Sequence, residues 1–211
     1  MTMNKQSETG VFPVVIGIVG GIAAGKSFVT KEFIAQGAEH FDADKEAKEL
    51  YNLPSVVSEI KKRWPTVVDS KNVVDKSRLA QIVFSPTEQG ARELSKLNAL
   101  LHPILNGAFI TWLKKRQDAR LVILDAPLLL EAGMDSLVDY LVYVDADFAV
   151  RQKRALERGW EPDEIIRRES RQLPLCEKKE RADFCVNSSS SSSQVREQVA
   201  KIVATLFQGS R

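Results

Sequence analysis

Two short stretches carry residues whose types and spacing could do chemistry. The first is GGIAAGKS, which fits G-x-x-x-x-G-K-S/T with Gly20, Gly25, Lys26 and Ser27. In such a loop the glycines permit a tight turn and let backbone N–H groups point at phosphate oxygens. The lysine can neutralise β/γ-phosphate charge, and the serine can ligate Mg²⁺ at the start of a helix whose positive end adds attraction. The second is FDADKEAKEL, where Asp42 and Asp44 lie two apart at the end of a very short strand. Side chains two apart on a strand point the same way, so the two acids could hold a metal, serve as a base, or cap the helix that follows.

The elements that must position these residues are legible around them. Five short apolar segments read as strands: 14–19, 40–41, 121–124, 140–144 and 183–186. Most are apolar throughout rather than alternating, which suits a sheet covered on both faces. Helical stretches separate them, so an α/β fold with a parallel, five-stranded, three-layer sheet is expected. The phosphate loop has the right context, with a strand before it and the amphipathic SFVTKEFIAQG, ending at Gly37, after it. The Asp-Ala-Asp strand follows by one helix and one crossover and is expected next to the loop's strand, at the same carboxyl-end rim.

Between the second and third strands lie roughly 80 residues without a strand pattern, far more than a crossover needs. Pro54 opens one helix, with Val56, Val57, Ile60 and Trp64 on one side before Pro65 stops it. Another carries Ile104, Leu105, Ala108, Phe109 and Trp112, with Pro103 expected in its first turn. These stripes read as core packing, and the insertion is large enough to form a substrate lobe. A second insertion, 147–172, holds Arg151, Arg154, Arg158, Arg167, Arg168 and Arg171 beside several carboxylates. It reads either as a solvated helical hairpin broken at Gly159 and Pro162 or as an arginine-bearing lid over phosphates. The serine run 188–193 reads as a flexible loop, and Val195, Val199, Ile202, Val203 and Leu206 mark a final amphipathic helix.

Bulk properties set outer limits. The chain has 211 residues, net charge +2 and 27% charged residues, so global electrostatics give no reason to expect a nucleic-acid or acidic-membrane partner. Cys176 and Cys185 sit far from any Cys/His cluster and read as buried or idle thiols in a reducing compartment. The polar MTMNKQSETG has no apolar core before Val11, so residues 1–12 are expected to be a loose tail rather than a signal peptide, and no apolar run approaches a membrane span. A cytoplasmic protein, monomeric or weakly associating, is expected.

Phosphate binding alone does not name a reaction. A GTPase would carry an N-K-x-D guanine reader and a D-x-x-G switch, and neither appears; Asp125, at the end of an apolar strand, could hold a metal-bound water. A small-molecule kinase fits better than a motor or transporter ATPase. The remaining motifs are more specific: GIVGGIAAGKS, FDADKEAKEL, IVFSP, LNALLHPIL, DAPLLLE, QKRALER and RADFCVNSS occur in that order. Together they resemble the dephospho-CoA kinase family over nearly the whole chain.

The resemblance implies ATP-dependent phosphorylation of the ribose 3′-hydroxyl of dephospho-CoA, with Mg²⁺, as the last step of coenzyme A synthesis. It implies Asp44 as the base, with an N-cap as its plainer alternative, and Asp42 as a Mg²⁺ water-shell or sheet-edge residue. Ser27 is the expected direct metal ligand. ATP is expected along Gly20, Gly21, Ala23, Ala24, Gly25, Lys26, Ser27 and Phe28, with Asn187 beside the adenine. Lys26 and Arg154 would stabilise the transferring phosphoryl group, unless Arg154 is a plain surface arginine. Lys48 and Lys76 stand where the family leads one to expect arginine facing the acceptor, and lysine keeps the charge but loses bidentate geometry. His102 either touches the acceptor or fixes the turn before Pro103. Ala23-Ala24 replaces the family's Gly-Ser, tolerable if the backbone angles are unstrained, and Phe28 replaces a small hydroxyl residue. The implied organisation is a nucleotide core (13–44, 115–146 and 173–211), an acceptor lobe (45–114) and a lid (147–172). The rivals are a kinase acting on a nucleoside or shikimate-like alcohol, and a non-catalytic nucleotide-binding protein that has kept the loop.

Overall fold

A computed structural model describes residues 13–208, so the expected tail at 1–12 lies outside the described residues. Five strands, β1 (Val14–Gly20), β2 (Glu39–Asp42), β3 (Leu121–Asp125), β4 (Tyr140–Asp145) and β5 (Phe184–Asn187), form one sheet in the order β2-β3-β1-β4-β5. Every pairing is parallel. Each strand runs slightly past its apolar core, so Gly20, Asp42, Asp125, Asp145 and Asn187 all end on the same carboxyl rim. That rim is where open parallel sheets bind ligands.

The order corrects one expectation. β2 does not neighbour β1, because β3 lies between them, pairing Gly17 with Leu124 on one side and Asp42 with Asp125 on the other. β3, apolar and buried from Leu121 to Leu124, suits a position flanked on both sides, whereas β2, with exposed Glu39 and half-buried His40, suits an edge. Asp125 thus stands between the phosphate loop and the Asp-Ala-Asp turn.

Alternate residues of the strands feed two cores. Ile16, Ile18, Ile123, Val142 and Val144 pack under α1 (Lys26–Ala35) and α9 (Ser192–Phe207). Val15, Val19, Val122, Leu124, Leu141 and Tyr143 face the helices of the first insertion. Each fully buried aliphatic or aromatic side chain contributes roughly 1.5–3 kcal/mol, so both faces are firmly covered.

That insertion holds α2 (Ala43–Leu50), α3 (Pro54–Arg63), α4 (Lys76–Val83) and α5 (Glu88–Lys114). α3 starts and stops as expected, and its Val56, Val57 and Ile60 are buried, with Trp64 just beyond them. Pro103 does not open a helix. α5 begins at Glu88, where the Thr87 hydroxyl accepts from Gly90 N, and Pro103 sits inside its 27 residues. The proline removes one N–H bond, but Leu97, Leu101, Leu105 and Phe109 run through it at a spacing of four and are all buried. Packing therefore overrides the local penalty. Phe109 also meets Phe41 edge-on at 5.0 Å, tying α5 to β2 directly beneath Asp42.

The second insertion is a helical hairpin of α6 (Phe148–Leu156) and α7 (Glu164–Glu169), turned at Gly159 with φ 75°, followed by α8 (Leu175–Glu180). The serine run is not a loose loop. Ser188 is buried, Ser191 caps α9 in a reciprocal capping box with Gln194, and Ser192 and Ser193 already belong to the helix. Cys176 and Cys185 are free and exposed rather than buried.

Candidate active site

The phosphate loop leaves β1 at Gly20 and enters α1 through Gly25. Gly20 has φ 149°, and a Cβ there would fall 2.5 Å from the Val144 carbonyl oxygen, so only glycine fits. Gly25, at φ 97°, caps α1 without a side chain. Ala23 is the loop's departure from backbone ease: it adopts φ 58°, the left-handed region that costs a non-glycine residue roughly 1–2 kcal/mol. The condition that its angles be unstrained is therefore not met. What compensates is its methyl, which is buried against Ala155 of α6 and Ile165 of α7.

Lys26 Nζ donates to the Gly20 and Gly21 carbonyls at 3.0 and 2.8 Å, wrapping the side chain over the loop. Burial, followed by repulsion from nearby Lys178, pushes its pKa down to about 8. A cation so poorly compensated is an attractive partner for phosphate oxygens.

Two cavities open on either side of this lysine. One, of about 530 Å³, is lined by Ala23 to Phe28, Arg154, Glu157, Arg158 and the serines at the start of α9. Arg154 reaches in from α6, donating to the Ala24 carbonyl at 3.1 Å, to Ser188 Oγ at 3.1 Å and to the Ser188 carbonyl at 2.7 Å. Ser188 Oγ in turn donates to the Ala24 carbonyl. Arg154 is thus held against the loop rather than spread on the surface. Asn187, exposed at the end of β5, is not among the residues lining this cavity; its backbone N–H donates to Gln198 and its Oδ1 accepts from Ser189 N.

The other cavity, of about 470 Å³, is lined by Lys26, Ser27, Asp42, Asp44, Lys45, Lys48, Asp125 and Pro127. Lys26 and Ser27 are common to both cavities. Asp42, not Asp44, is the helix cap: its Oδ1 accepts from Lys45 N at 2.9 Å. Asp44, one residue inside α2, is free of that duty. Asp44 keeps an exposed face, but partial desolvation by the cavity wall raises its pKa above its ordinary value, and the negative charges of Asp42 and Asp125 push the same way while Lys48 opposes them. Asp125 Oδ2 accepts from Thr30 Oγ1 at 3.4 Å and lies 3.6 Å from His40 Nε2.

Lys48 joins the cavity wall, but Lys76 and His102 do not. Lys76 instead donates to the Lys48 carbonyl at 3.0 Å and lies over the Tyr51 ring. His102 is half-buried on α5, with burial lowering its pKa.

Among the described residues, no group of three or more His, Cys, Asp or Glu is arranged to hold a metal by itself. A Mg²⁺ bound largely by phosphate oxygens and water needs no such cage, so Ser27, on both cavity walls, and the nearby carboxylates fit that ion.

Sequence reading passed over several groups that shape the site. Lys178, only 2% exposed, pairs with Glu131 at 2.8 Å and bonds Gln172 at 2.9 Å. Glu131 also accepts from Leu173 N, fixing the base of the second insertion to the loop after β3. Arg151 and Glu169 pair at 2.5 Å over the phosphate loop. Glu131 closes the DAPLLLE motif, which was a usable signal; nothing in spacing marks Arg151 with Glu169.

Known proteins supply the remaining findings. The dephospho-CoA kinase family model matches residues 14–194. The dephospho-CoA kinase of Chlorobaculum tepidum is 33% identical over 203 residues, covering 92% of this chain and 96% of that one. A crystal structure from Thermus thermophilus superposes with a TM-score of 0.81 at 30% identity, covering 92% of this chain and 98% of that one. The dephospho-CoA kinase structure from Campylobacter jejuni gives 0.67 at 19% identity, covering 93% and 98%, a likeness of fold. With the model match spanning most of the chain and a relative of such identity nearly end to end, this chain belongs to the dephospho-CoA kinase family.

Proposed function

We propose that this protein transfers the γ-phosphoryl group of ATP to the ribose 3′-hydroxyl of dephospho-CoA, giving coenzyme A and ADP. The observation that carries the reading is the meeting of two cavities at Lys26 and Ser27. One is walled by the phosphate loop and Arg154, the other by Asp42, Asp44 and Asp125. A donor phosphate in the first and an acceptor hydroxyl in the second would face each other across Lys26.

In this reading ATP lies along Gly20 to Phe28 with its base toward Asn187 and the serines before α9. Asp44 accepts a hydrogen bond from the 3′-hydroxyl, orients it and takes its proton as the new P–O bond forms. Its raised proton affinity suits that task. Lys26 and Arg154 stabilise the charge on the transferring group, Arg154 by exchanging the loop carbonyls for phosphate oxygens. Mg²⁺, held by Ser27 and the phosphates with Asp42 toward its water shell, would neutralise phosphate charge. Lys48 fits a contact to the acceptor's own phosphates from the cavity wall, whereas Lys76 supports it from behind. His102 fits a structural role in α5.

The organisation follows: a nucleotide core of 13–44, 115–146 and 173–211, an acceptor lobe of 45–114 and a lid of 147–172. Closing that lid would exclude water from the phosphoryl group. No helix among the described residues is long and apolar enough to cross a membrane. We further propose that the protein works in the cytoplasm as a monomer or weak homo-oligomer. Release of ADP with dephospho-CoA, shikimate and nucleosides as acceptors tests the assignment. Turnover with dephospho-CoA alone is expected; turnover with nucleosides alone would replace the acceptor, and ATP binding without any turnover would favour a nucleotide-binding protein.

A further inference from the structure

Arg154 is not the second insertion's only hold on the phosphate loop. From α6 and α7 respectively, Arg151 and Glu169 sit over Ile22 and leave neither of its backbone polar groups idle. Glu169 Oε1 accepts from Ile22 N at 2.9 Å, and Arg151 Nη1 donates to the Ile22 carbonyl at 3.3 Å. The same Nη1 donates to the same Glu169 Oε1 at 2.5 Å, closing a ring of three bonds. Arg151 is 5% exposed, and its Nε is buried without a hydrogen-bond partner among the described residues. A guanidinium buried at that cost is held for its position, with Glu169 as the compensating charge.

The gripped carbonyl is the one that precedes Ala23. Its orientation sets the peptide plane from which Ala23 takes φ 58°, the strained turn of the loop. On the far side of that turn the Ala23 methyl is buried against Ala155 and Ile165. The helical hairpin therefore secures the loop's least comfortable residue by a polar grip before it and an apolar contact upon it. The nucleotide cavity remains open at about 530 Å³ with this grip in place, and neither Arg151 nor Glu169 lines it. The grip and phosphate binding are compatible.

We propose that Arg151 and Glu169 are positioning residues for the phosphate loop, clamping both sides of Ile22 so that the amides after Ala23 are already aimed at phosphate when ATP arrives. The clamp stays closed on the loop, and Arg154, three residues on, is the arginine that changes partners. The kinetic part of this inference rests on the kinase assignment; the binding part does not.

The test compares Arg151→Gln, Glu169→Gln and the double variant, using calorimetric ATP affinity without acceptor and hydrogen exchange of the segment 20–28. Each single variant is expected to weaken ATP about tenfold, the size of a lost charged hydrogen bond, and to speed exchange in the loop. The double variant is expected to be no worse than the poorer single, because either change opens the same ring. In turnover, KM for ATP should rise while KM for dephospho-CoA stays unchanged. Single variants within twofold of the parent in affinity and exchange, or losses that multiply to about a hundredfold in the double, would overturn the clamp. If Arg151→Gln does not fold, Glu169→Gln decides, since it keeps the shape and an acceptor for Ile22 N and removes only the charge. Parent protein that fails to use dephospho-CoA, while the affinity losses appear, would overturn the acceptor and leave the clamp standing.

Discussion

Replacing Asp44 with asparagine changes almost nothing but charge and basicity, so it isolates what the carboxylate does. Were Asp44 the cap of α2, the change would loosen the helix; but Asp42 Oδ1 already bonds Lys45 N, so the helix start is kept. On the acceptor side, loss of a general base removes roughly 10²–10⁴ in turnover, or about 2.7–5.5 kcal/mol of barrier. ATP affinity should hardly move, because Asp44 does not line the nucleotide cavity. The pH dependence has a definite sign. Partial desolvation, Asp42 and Asp125 raise the folded pKa above its unfolded value, so the ionised form is disfavoured in the fold. Stability therefore falls as pH rises through that interval, and at neutral pH Asp44→Asn is expected to melt no lower than the parent. Parent turnover should fall on the acid side with a midpoint above the ordinary aspartate value, and that limb should vanish in the variant. Steady-state ADP release, ATP calorimetry and thermal melts measure the three effects. Near-parent turnover, or a lower melting temperature with weakened ATP binding, would refute the assignment of Asp44 as base.

Three other perturbations follow from the site. Glu131→Leu strands the buried Lys178 cation and should cost about 3 kcal/mol in urea unfolding, whereas Glu131→Leu with Lys178→Met should recover much of it; equal losses would contradict the pairing. With Lys26 near pKa 8 in the free protein, ATP binding at that pH should draw up roughly half a proton as phosphate stabilises the ammonium. Calorimetry in buffers of different ionisation enthalpy reads it, and zero uptake would contradict the lowered value. Ala23→Gly relieves about 1 kcal/mol of left-handed strain but loses a buried methyl worth about 0.8 kcal/mol, so stability should stay within about 1 kcal/mol of the parent. A loss above about 2 kcal/mol in urea unfolding would mean that the methyl contact dominates.

The phosphate loop, the five strands and the hairpin at Gly159 were legible because their signals are local: glycine spacing, apolar runs and a turn residue. The resemblance gave Asp44 and Asp42 different jobs, but which of them caps α2 could be told only in the structure, since either acid can cap a helix and its exact starting residue decides which does. The place of β3 between β1 and β2 was hidden because crossover connections leave strand order open. Pro103 misled because a strong local signal lost to a buried stripe along the whole of α5. The serine run misled for a similar reason, as composition does not show that Ser188 bonds the loop and Ser191 caps α9. The Arg151–Glu169 pair was out of reach altogether, and of the Lys178–Glu131 pair only Glu131, at the end of DAPLLLE, carried a signal. In sequence the others are charges among many, and only packing reveals which of them lose their water.

The position of the transferred phosphate tests the central assignment most directly. ATP labelled at its γ-phosphate, incubated with dephospho-CoA and the protein, should place the label on coenzyme A in a form that a 3′-nucleotidase releases. Label that resists the 3′-specific enzyme, or that appears only as inorganic phosphate, would contradict the geometry proposed for Asp44 and Lys26.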